Sequence, residues 1–476
     1  MFFRHFYDHQ LAQASYLIGC SASGEALVVD PNRNIDQYLQ AADAEELRVT
    51  HVTETHIHAD FVSGARELAH RTGACLHLSG AGGPDWCYAY AADAGASLLG
   101  EGSSFRVGRV EIAVLHTPGH TPEHLTFLVT DTVTADQPMG ALTGDFLFVG
   151  DVGRPDLLER AAHVAGTMEI GARQLFRSLR RLRPLPDFLQ IWPGHGAGSA
   201  CGKALGAVPQ STLGYEKRFN WAFAVEDEDE FVRAVLAGQP DPPRYFGQMK
   251  RINRDGPRLL GDIRPTRLAV DQLAALLAAG ATVVDTRPAP EFALGAVPGT
   301  INIPLNRAFT TWSGSLLPYD RELYLLLDDR RESVVDRVVR QLAGIGLDRV
   351  VGYFGTEVVE AWRASRGALQ TIPQINTAEV GTGAPGGRFA LLDVRSSSEW
   401  ADGHVPGSSN IPVADLEQRL AELPRDRLLV VHCQSGSRAA IAASLLRARG
   451  IVDVRVFSGG FAEWSKAGYP VERSGT

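Results

Sequence analysis

An α/β protein of several domains is what this sequence predicts, and three observations carry the prediction. The chain has 476 residues, enough for about three domains at roughly 100–200 residues each. Residues 1 to about 220 alternate short β-branched runs with Gly-rich turns and helical stretches. After a polar, Pro-broken segment the chain then repeats itself. Asp285-Thr-Arg287…Glu291-Phe292…Gly295-Ala-Val297-Pro298-Gly299…Asn302-Ile303-Pro304 recurs 108 residues later as Asp393-Val-Arg395…Glu399-Trp400…Gly403-His-Val405-Pro406-Gly407…Asn410-Ile411-Pro412. So many matches at one offset mark a duplicated α/β unit of about a hundred residues.

Composition sets outer bounds. The hydrophobic fraction of 45% and charged fraction of 21% are ordinary for domains with real cores. A net charge of −9 disfavours bulk nucleic-acid binding. No apolar run reaches the roughly 18 residues of a membrane span, and Met1–Ser15 lacks the apolar core of a secretory signal. The expectation is a cytoplasmic protein with no membrane partner. Five cysteines, Cys20, Cys75, Cys87, Cys201 and Cys433, form no CxxC pair, which argues against a disulfide framework or zinc knuckle.

The predicted domains are 1–224, 264–368 and 372–476, with 225–263 read as a helical excursion plus linker. In the first, strand-like runs include Ala26–Asp30, Arg48–Thr53, Val110–Leu115 and Phe188–Trp192. The acidic run Glu226–Glu230 reads as a solvated helix face. Each later domain opens on a helix-like segment, Thr266–Ala279 or Thr377–Val380. Each closes on a strand and a Trp-containing helix, Val350–Trp362 or Val454–Trp464. Cys20, Cys75 and Cys87 lie in or beside apolar runs and read as packing residues.

Four His/Asp motifs follow strands in the first domain: Glu54-Thr-His56-Ile-His58-Ala-Asp60-Phe61, His116-Thr-Pro-Gly-His120-Thr, Thr143-Gly-Asp145 and Trp192-Pro-Gly-His195-Gly. Histidine and carboxylate are natural ligands for first-row metals, and loops after strands can converge on one point. This pattern resembles the metallo-β-lactamase superfamily, which implies an αββα sandwich with the metal at one sheet edge. Hydrolytic members extend the first motif with a histidine directly after its aspartate, which helps hold a second metal. Here Phe61 occupies that position, so a single metal is expected.

The domain looks most like the persulfide dioxygenase branch, through Thr55-His-Ile-His-Ala-Asp60, Thr117-Pro-Gly-His-Thr121, Thr143-Gly-Asp-Phe-Leu147 and Gly153-Arg154-Pro155-Asp156. That resemblance implies mononuclear Fe(II) on His56, His120 and Asp145, with zinc as the alternative. His58, Asp60 and His195 are then groups that orient ligands and water, or His58 is a fourth ligand. Arg154 matches a position near the family's thiol-carrier site, with Lys217 and Arg218 either sharing that task or standing as exposed basic residues. Cys201, six residues past His195, is a relay thiol or a small buried residue.

In the last domain a strand-like run, Leu428–Val431, leads through His432-Cys433-Gln-Ser-Gly-Ser-Arg438 into a helical stretch, Ala439–Arg449. Strand, short loop and helix N-terminus favour a thiolate and an anion cradle. This loop and the repeated motifs around it resemble the rhodanese family. The six residues from Cys433 to Arg438 make a narrower loop than the seven-residue Cys-x5-Arg loop of related phosphatases, which favours sulfur over phosphate. Cys433 is the expected nucleophile and Arg438 an anion-binding partner. The middle domain shares the frame, but its cysteine position falls near Asp328 or Asp329, so it is expected to be an inactive rhodanese homologue.

Together these resemblances imply oxidation of a low-molecular-weight persulfide, of glutathione or a similar thiol carrier, by dioxygen to sulfite. They couple it to sulfur transfer at Cys433 with thiosulfate made or consumed, as in sulfide detoxification. The competing expectation is a zinc thioester hydrolase of the glyoxalase II type fused to a sulfurtransferase. Two accessory domains also offer surface for a homo-oligomer.

Overall fold

A computed structural model describes residues 1–160, 166–203, 205–261, 263–383 and 387–473. The chain divides into two compact units, one of Met1–Gly261 with Ala343–Gly346, the other of Asp262–Leu342 with Leu347–Thr476.

Two six-stranded sheets build the first unit. One runs Phe2–Asp8, Gln13–Cys20, Glu25–Val29, Arg48–Thr53, Cys75–Ser79, Ser97–Leu99; the other Ser211–Thr212, Gln190–Pro193, Gly140–Gly144, Leu125–Asp131, Val110–His116, Ser104–Val107. Alternation of side chains along each strand gives each sheet two apolar faces. Tyr16, Ile18, Leu27 and Val29 of the first meet Ile112, Val114, Phe127 and Trp192 of the second in a shared core. On the outer face of the first sheet, Val28, Val52, Leu76 and Leu78 pack against the helices Asp36–Asp43 and Ala65–Thr72. On that of the second, Leu128, Ala141 and Ile191 pack against Thr167–Leu182. The order is helix, sheet, sheet, helix.

The segment from residue 225, expected to hold a helical excursion and a linker, carries two helices and groups with this unit as far as Gly261. Phe231, Val232 and Val235 of the helix Glu228–Leu236 join the core around Phe176 and Leu179. The acidic run does face solvent: Asp227 caps the helix, while Glu226 and Asp229 pair with Arg180 and Arg173. A second helix, Phe246–Asp255, buries Phe246, Met249, Lys250 and Asn253, an i, i+3, i+4, i+7 face whose last two members are polar.

The second unit holds two five-stranded parallel sheets of the same order. The first runs Thr266–Arg267, Val350–Gly355, Leu323–Leu327, Thr282–Asp285, Ile301–Asn302. The other runs Gln374–Ile375, Val454–Phe457, Leu429–His432, Ala390–Asp393, Ser409–Asn410. The repeated motif is one hydrogen-bonded frame built twice. Asn302 Nδ2 donates to the carbonyls of Asp285 and Arg287, as Asn410 Nδ2 does to those of Asp393 and Arg395. Arg287 and Arg395 each clasp the aspartate two residues back and donate to the carbonyl of Gly295 or Gly403. Among the described residues no helix is long and apolar enough to cross a membrane.

Candidate metal centre and thiol loop

The loop leaving the strand Arg48–Thr53 carries His56, His58 and Asp60, and it is held from three sides. Asp30 accepts from the amide and hydroxyl of Thr55. Glu123 Oε1 accepts from the amide of Ile57 at 2.9 Å. Asn253 Nδ2 donates to the carbonyls of His58 and Phe61, while its Oδ1 accepts from the amide of Ser63.

His56, His120 and Asp145 converge, all buried, with one ligand atom from each within 4.8 Å of the others. Thr55 Oγ1, already donating to Asp30, accepts from His56 Nδ1 at 2.9 Å. His120 Nδ1 donates to the carbonyl of Arg154 at 3.0 Å. Both imidazoles therefore present a bare Nε2 lone pair. His120 Nε2 lies 3.6 Å and His56 Nε2 3.9 Å from Asp145 Oδ2. Neither His56 Nε2 nor Asp145 Oδ2 has a hydrogen-bond partner among the described residues. Orphaned buried polar atoms are rare and costly, and two facing a third donor are what a divalent ion would satisfy. Burial, followed by the neighbouring imidazoles, pushes the His56 pKa well down; burial also lowers His120. Both are neutral ligands at pH 7. Burial alone would raise Asp145, but the paired His195 and nearby His120 drive it far below the carboxylate range.

His195 sits between two carboxylates, donating from Nδ1 to Asp145 Oδ1 at 2.6 Å and from Nε2 to Asp60 Oδ2 at 2.7 Å. Burial opposes its charge, yet Asp145 and Asp60 raise its pKa well above the ordinary value. It orients Asp145. His58 stands outside the cluster of three. Burial lowers its pKa, but Asp30, 3.1 Å from Nε2, holds it up to about 9. Phe61 is fully buried against the His58 ring at 4.4 Å. Cys201 is buried beside Asp60 and His195, and burial followed by the charges of Asp60 and Asp145 pushes its thiol well up.

Of the three basic residues, Arg218 alone is exposed. Arg154 is wholly buried. Its Nε and Nη2 bind Asp156, and Nη1 and Nη2 reach the carbonyls of Ala200 and Pro240. A guanidinium so engaged is a structural clamp, and what it gives the site is its carbonyl. Lys217 is taken up by Asp187 and the Leu185 carbonyl, and Arg218 is exposed over Phe219. A further basic residue near the site is Lys250, which the sequence reading missed. It is buried, its Nζ has no hydrogen-bond partner among the described residues, and it lies 4.5 Å from the Trp86 ring. Burial lowers its pKa to about 8, Glu123 opposes that, and its charge is felt by both His56 and His120. Two polar residues on the apolar face of Phe246–Asp255 were the available signal.

In the second unit, the strand Leu429–His432 delivers a buried Cys433 to the start of a loop whose Gln434, Ser435 and Ser437 are exposed, and the amide of Gly436 donates to its Sγ at 3.1 Å. The loop turns at Gly436 with φ +93°, where a Cβ would meet the Ser458 carbonyl oxygen at 2.6 Å, so only glycine fits. The helix Ser437–Ala448 follows. Arg438 binds Glu399 through both Nη atoms at 2.6 and 2.8 Å and interacts with the Cys433 sulfur. In the middle sheet Asp285 pairs with Leu326 where Asp393 pairs with His432. The residue in the position of Cys433 is therefore buried Leu327, one place earlier than the expected Asp328 or Asp329. Those aspartates bind Arg330 and Arg267 instead.

Comparison with known proteins agrees with this geometry. The metallo-beta-lactamase superfamily profile matches residues 10–195, and the rhodanese-like domain profile residues 377–467. A probable metallo-hydrolase of Burkholderia pseudomallei is 30% identical over 217 residues, which are 40% of this chain and 70% of that protein. The chain belongs to the metallo-β-lactamase superfamily. A hydroxyacylglutathione hydrolase of Rhodospirillum rubrum is 27% identical over 52% of this chain and 84% of its own length. The crystal structure of a metallo-beta-lactamase from Staphylococcus aureus subsp. aureus COL superposes with a TM-score of 0.68 at 44% identity. It covers 74% of this chain and 99% of its own. The superfamily fold implies a divalent metal, and His56, His120 and Asp145 fit one. In this metallo-β-lactamase fold the loops of His56, His120 and Asp145 gather in one place, and Asp30, Asp60 and His195 hydrogen-bond around them.

Proposed function

We propose that the first unit oxidises low-molecular-weight persulfides with dioxygen at one non-haem iron and that Cys433 exchanges sulfur with the product. The observation that carries this reading is the cluster of His56, His120 and Asp145, in which His56 Nε2 and Asp145 Oδ2 have no hydrogen-bond partner among the described residues. Asp60, His195 and Cys201 lie close together, but both nitrogens of His195 are spent on carboxylates. Two histidines and one carboxylate leave coordination positions open, as non-haem Fe(II) oxygenases require. Iron(II), when bound, supplies the redox chemistry that lets dioxygen react with a sulfane sulfur. The net reaction is RSSH + O2 + H2O → RSH + SO3²⁻ + 2 H⁺. The chain's own part is positioning. Thr55 and the Arg154 carbonyl hold the imidazoles in the ligating tautomer, and His195 fixes the carboxylate rotamer. The Lys250 ammonium, with no hydrogen-bond partner among the described residues, offers an anionic persulfide or its carboxylates a charge in a buried setting.

At the second site the Cys433 persulfide meets sulfite: the S–S bond breaks, the outer sulfur leaves as thiosulfate, and the Cys433 thiol is regenerated. The reverse delivers sulfane sulfur from thiosulfate. Zinc-dependent thioester hydrolysis is a second reading, favoured by the relationship to the Rhodospirillum rubrum hydroxyacylglutathione hydrolase. The buried Phe61 and the locked His195 weigh against the two-metal form of that chemistry.

Oxygen uptake by anaerobically iron-loaded protein on addition of glutathione persulfide tests the choice. Uptake should survive Cys433→Ser and vanish in Asp145→Ala. Lys250→Met should raise KM by about tenfold with a smaller change in kcat. Thioester cleavage by zinc-loaded protein, without oxygen uptake by the iron form, would overturn the dioxygenase reading in favour of a hydrolase.

A further inference from the structure

The first sheet carries a second group of metal-type donors away from the ligand set above. His51 and Cys75 are direct partners across the parallel strands Arg48–Thr53 and Cys75–Ser79, and His77 pairs with Thr53. Residues two apart on a strand share a face. His51, Cys75 and His77 therefore project on one side, opposite Leu76 and Leu78, which pack into the core under the helices. One ligand atom from each of the three lies within 4.8 Å of the others. His51 Nδ1 and His77 Nε2 are 3.0 Å apart, and the two rings lie nearly parallel, 18° apart in plane. Phe105 of the second sheet stacks on His77 at 4.1 Å and leans on His51 at 5.6 Å, fixing both rings. His77 is buried and its Nδ1 has no partner among the described residues, while Cys75 is exposed. The set thus has a rigid floor and an open entrance.

We infer that His51, Cys75 and His77 form a second cation site for a thiophilic d10 metal ion, Zn²⁺ or Cu⁺. Two imidazoles and a thiolate match the ligand preference of such ions, with water completing the shell. Two nitrogens at about 2.0–2.1 Å from a tetrahedral ion lie about 3.3 Å apart, so the observed pair needs to open by only a few tenths of an ångström. Burial lowers the pKa of His77 to about 4 and also lowers that of His51, against an upward pull from Glu25. Both rings are neutral at pH 7 and need only a tautomer shift to ligate. The one proton released on binding comes from the Cys75 thiol. An ion here would pin two neighbouring strands, one of which runs directly into the loop of His56.

The test uses the full-length iron-loaded protein and zinc as the probe. Alkylation of Cys75 by iodoacetamide, followed by peptide mass mapping, should slow at least about tenfold when zinc is present. Bound zinc after dialysis should fall by one equivalent in Cys75→Ser, an exposed position where folding is not at risk. Protection should persist in Asp145→Ala, which separates this site from the buried one, and disappear in His51→Gln. Equal alkylation rates with and without zinc, or unchanged zinc content in Cys75→Ser, would overturn the inference.

Discussion

The two halves of the second unit are the same frame with different contents. Both have the five-strand order, the Asp-x-Arg clasp and the Asn bridge. One places Cys433 at the end of its central strand, and the other places Leu327 there. Sheet and clasp thus build the scaffold, and a short loop alone adds chemistry. The half without a thiol still contributes structure: the amide of Asn302 on its edge strand donates to Ser444 Oγ at 2.9 Å, on the helix that begins at the Cys433 loop. It also shares with Ser435, Gly436 and Ser437 a cavity of ≈ 210 Å³ lined by Pro290, Phe292 and Ala293. It reads as a brace for the active loop.

The largest expected effect breaks the chemical difference between the halves. Cys433→Ser should abolish thiosulfate-to-cyanide sulfur transfer, a loss of at least about a thousandfold, because it removes the one thiol held in this loop. The reciprocal Leu327→Cys should gain none. Its loop continues into Asp328 and Asp329, which are committed to Arg330 and Arg267, and carboxylates there repel an anionic sulfur donor. Measurable transfer in Leu327→Cys with Cys433→Ser would show that the frame alone suffices.

A smaller effect probes what the halves share. Arg395 is nearly fully buried on Asp393, and Arg287 is slightly more exposed on Asp285. Removing one partner of a buried ion pair leaves an uncompensated charge and costs about 3–5 kcal/mol. Arg395→Ala should sit in that range by urea denaturation, and Arg287→Ala somewhat below it. Equal and negligible losses would mean that the clasp is not what holds the frame.

How much of this was readable beforehand differs by residue. His56, His120 and Asp145 lie in compact motifs, so the sequence carried them. The duplicated frame was readable for the same reason, since its hydrogen bonds join residues close in sequence. Asp30, Glu123, Lys250 and Asn253 reach the site from far along the chain, and only folding brings them there. The engagement of Arg154 by Asp156 and two carbonyls was not readable, because burial decides whether a guanidinium is free and a motif does not report burial. Cys75 and Cys87 were expected to pack inside, yet both are exposed. In Cys75-Leu-His-Leu-Ser79 the period-2 alternation already set Cys75 and His77 apart from the leucines.

The brace itself predicts a modest change. Ser444→Ala removes the acceptor of the buried Asn302 amide, and an unsatisfied buried donor costs about 1–3 kcal/mol. The urea midpoint should fall accordingly, while sulfur transfer per folded molecule at Cys433 should drop less than twofold, a small effect on the scale of RT. A large loss of transfer with stability intact would promote the half without a thiol from a brace to a participant in the reaction.

The smallest effect is confined to the active half and depends on pH. The bidentate hydrogen bonds from Arg438 hold the Glu399 carboxyl down at about 2, against burial, which pulls it up; its ordinary value is 4.5. A depressed carboxylate contributes stability that is fully present above the unfolded value and is lost as pH falls from about 4.5 towards 2. The middle half has Glu291 at the matching place but a leucine in place of the thiol. Glu399→Gln should therefore lower the melting temperature at pH 7 by more than it does at pH 3, because acid removes in the parent what the substitution has already removed. A difference that stays constant across that interval would mean that Glu399 acts through shape and capping at Ser396 rather than through its charge on Arg438.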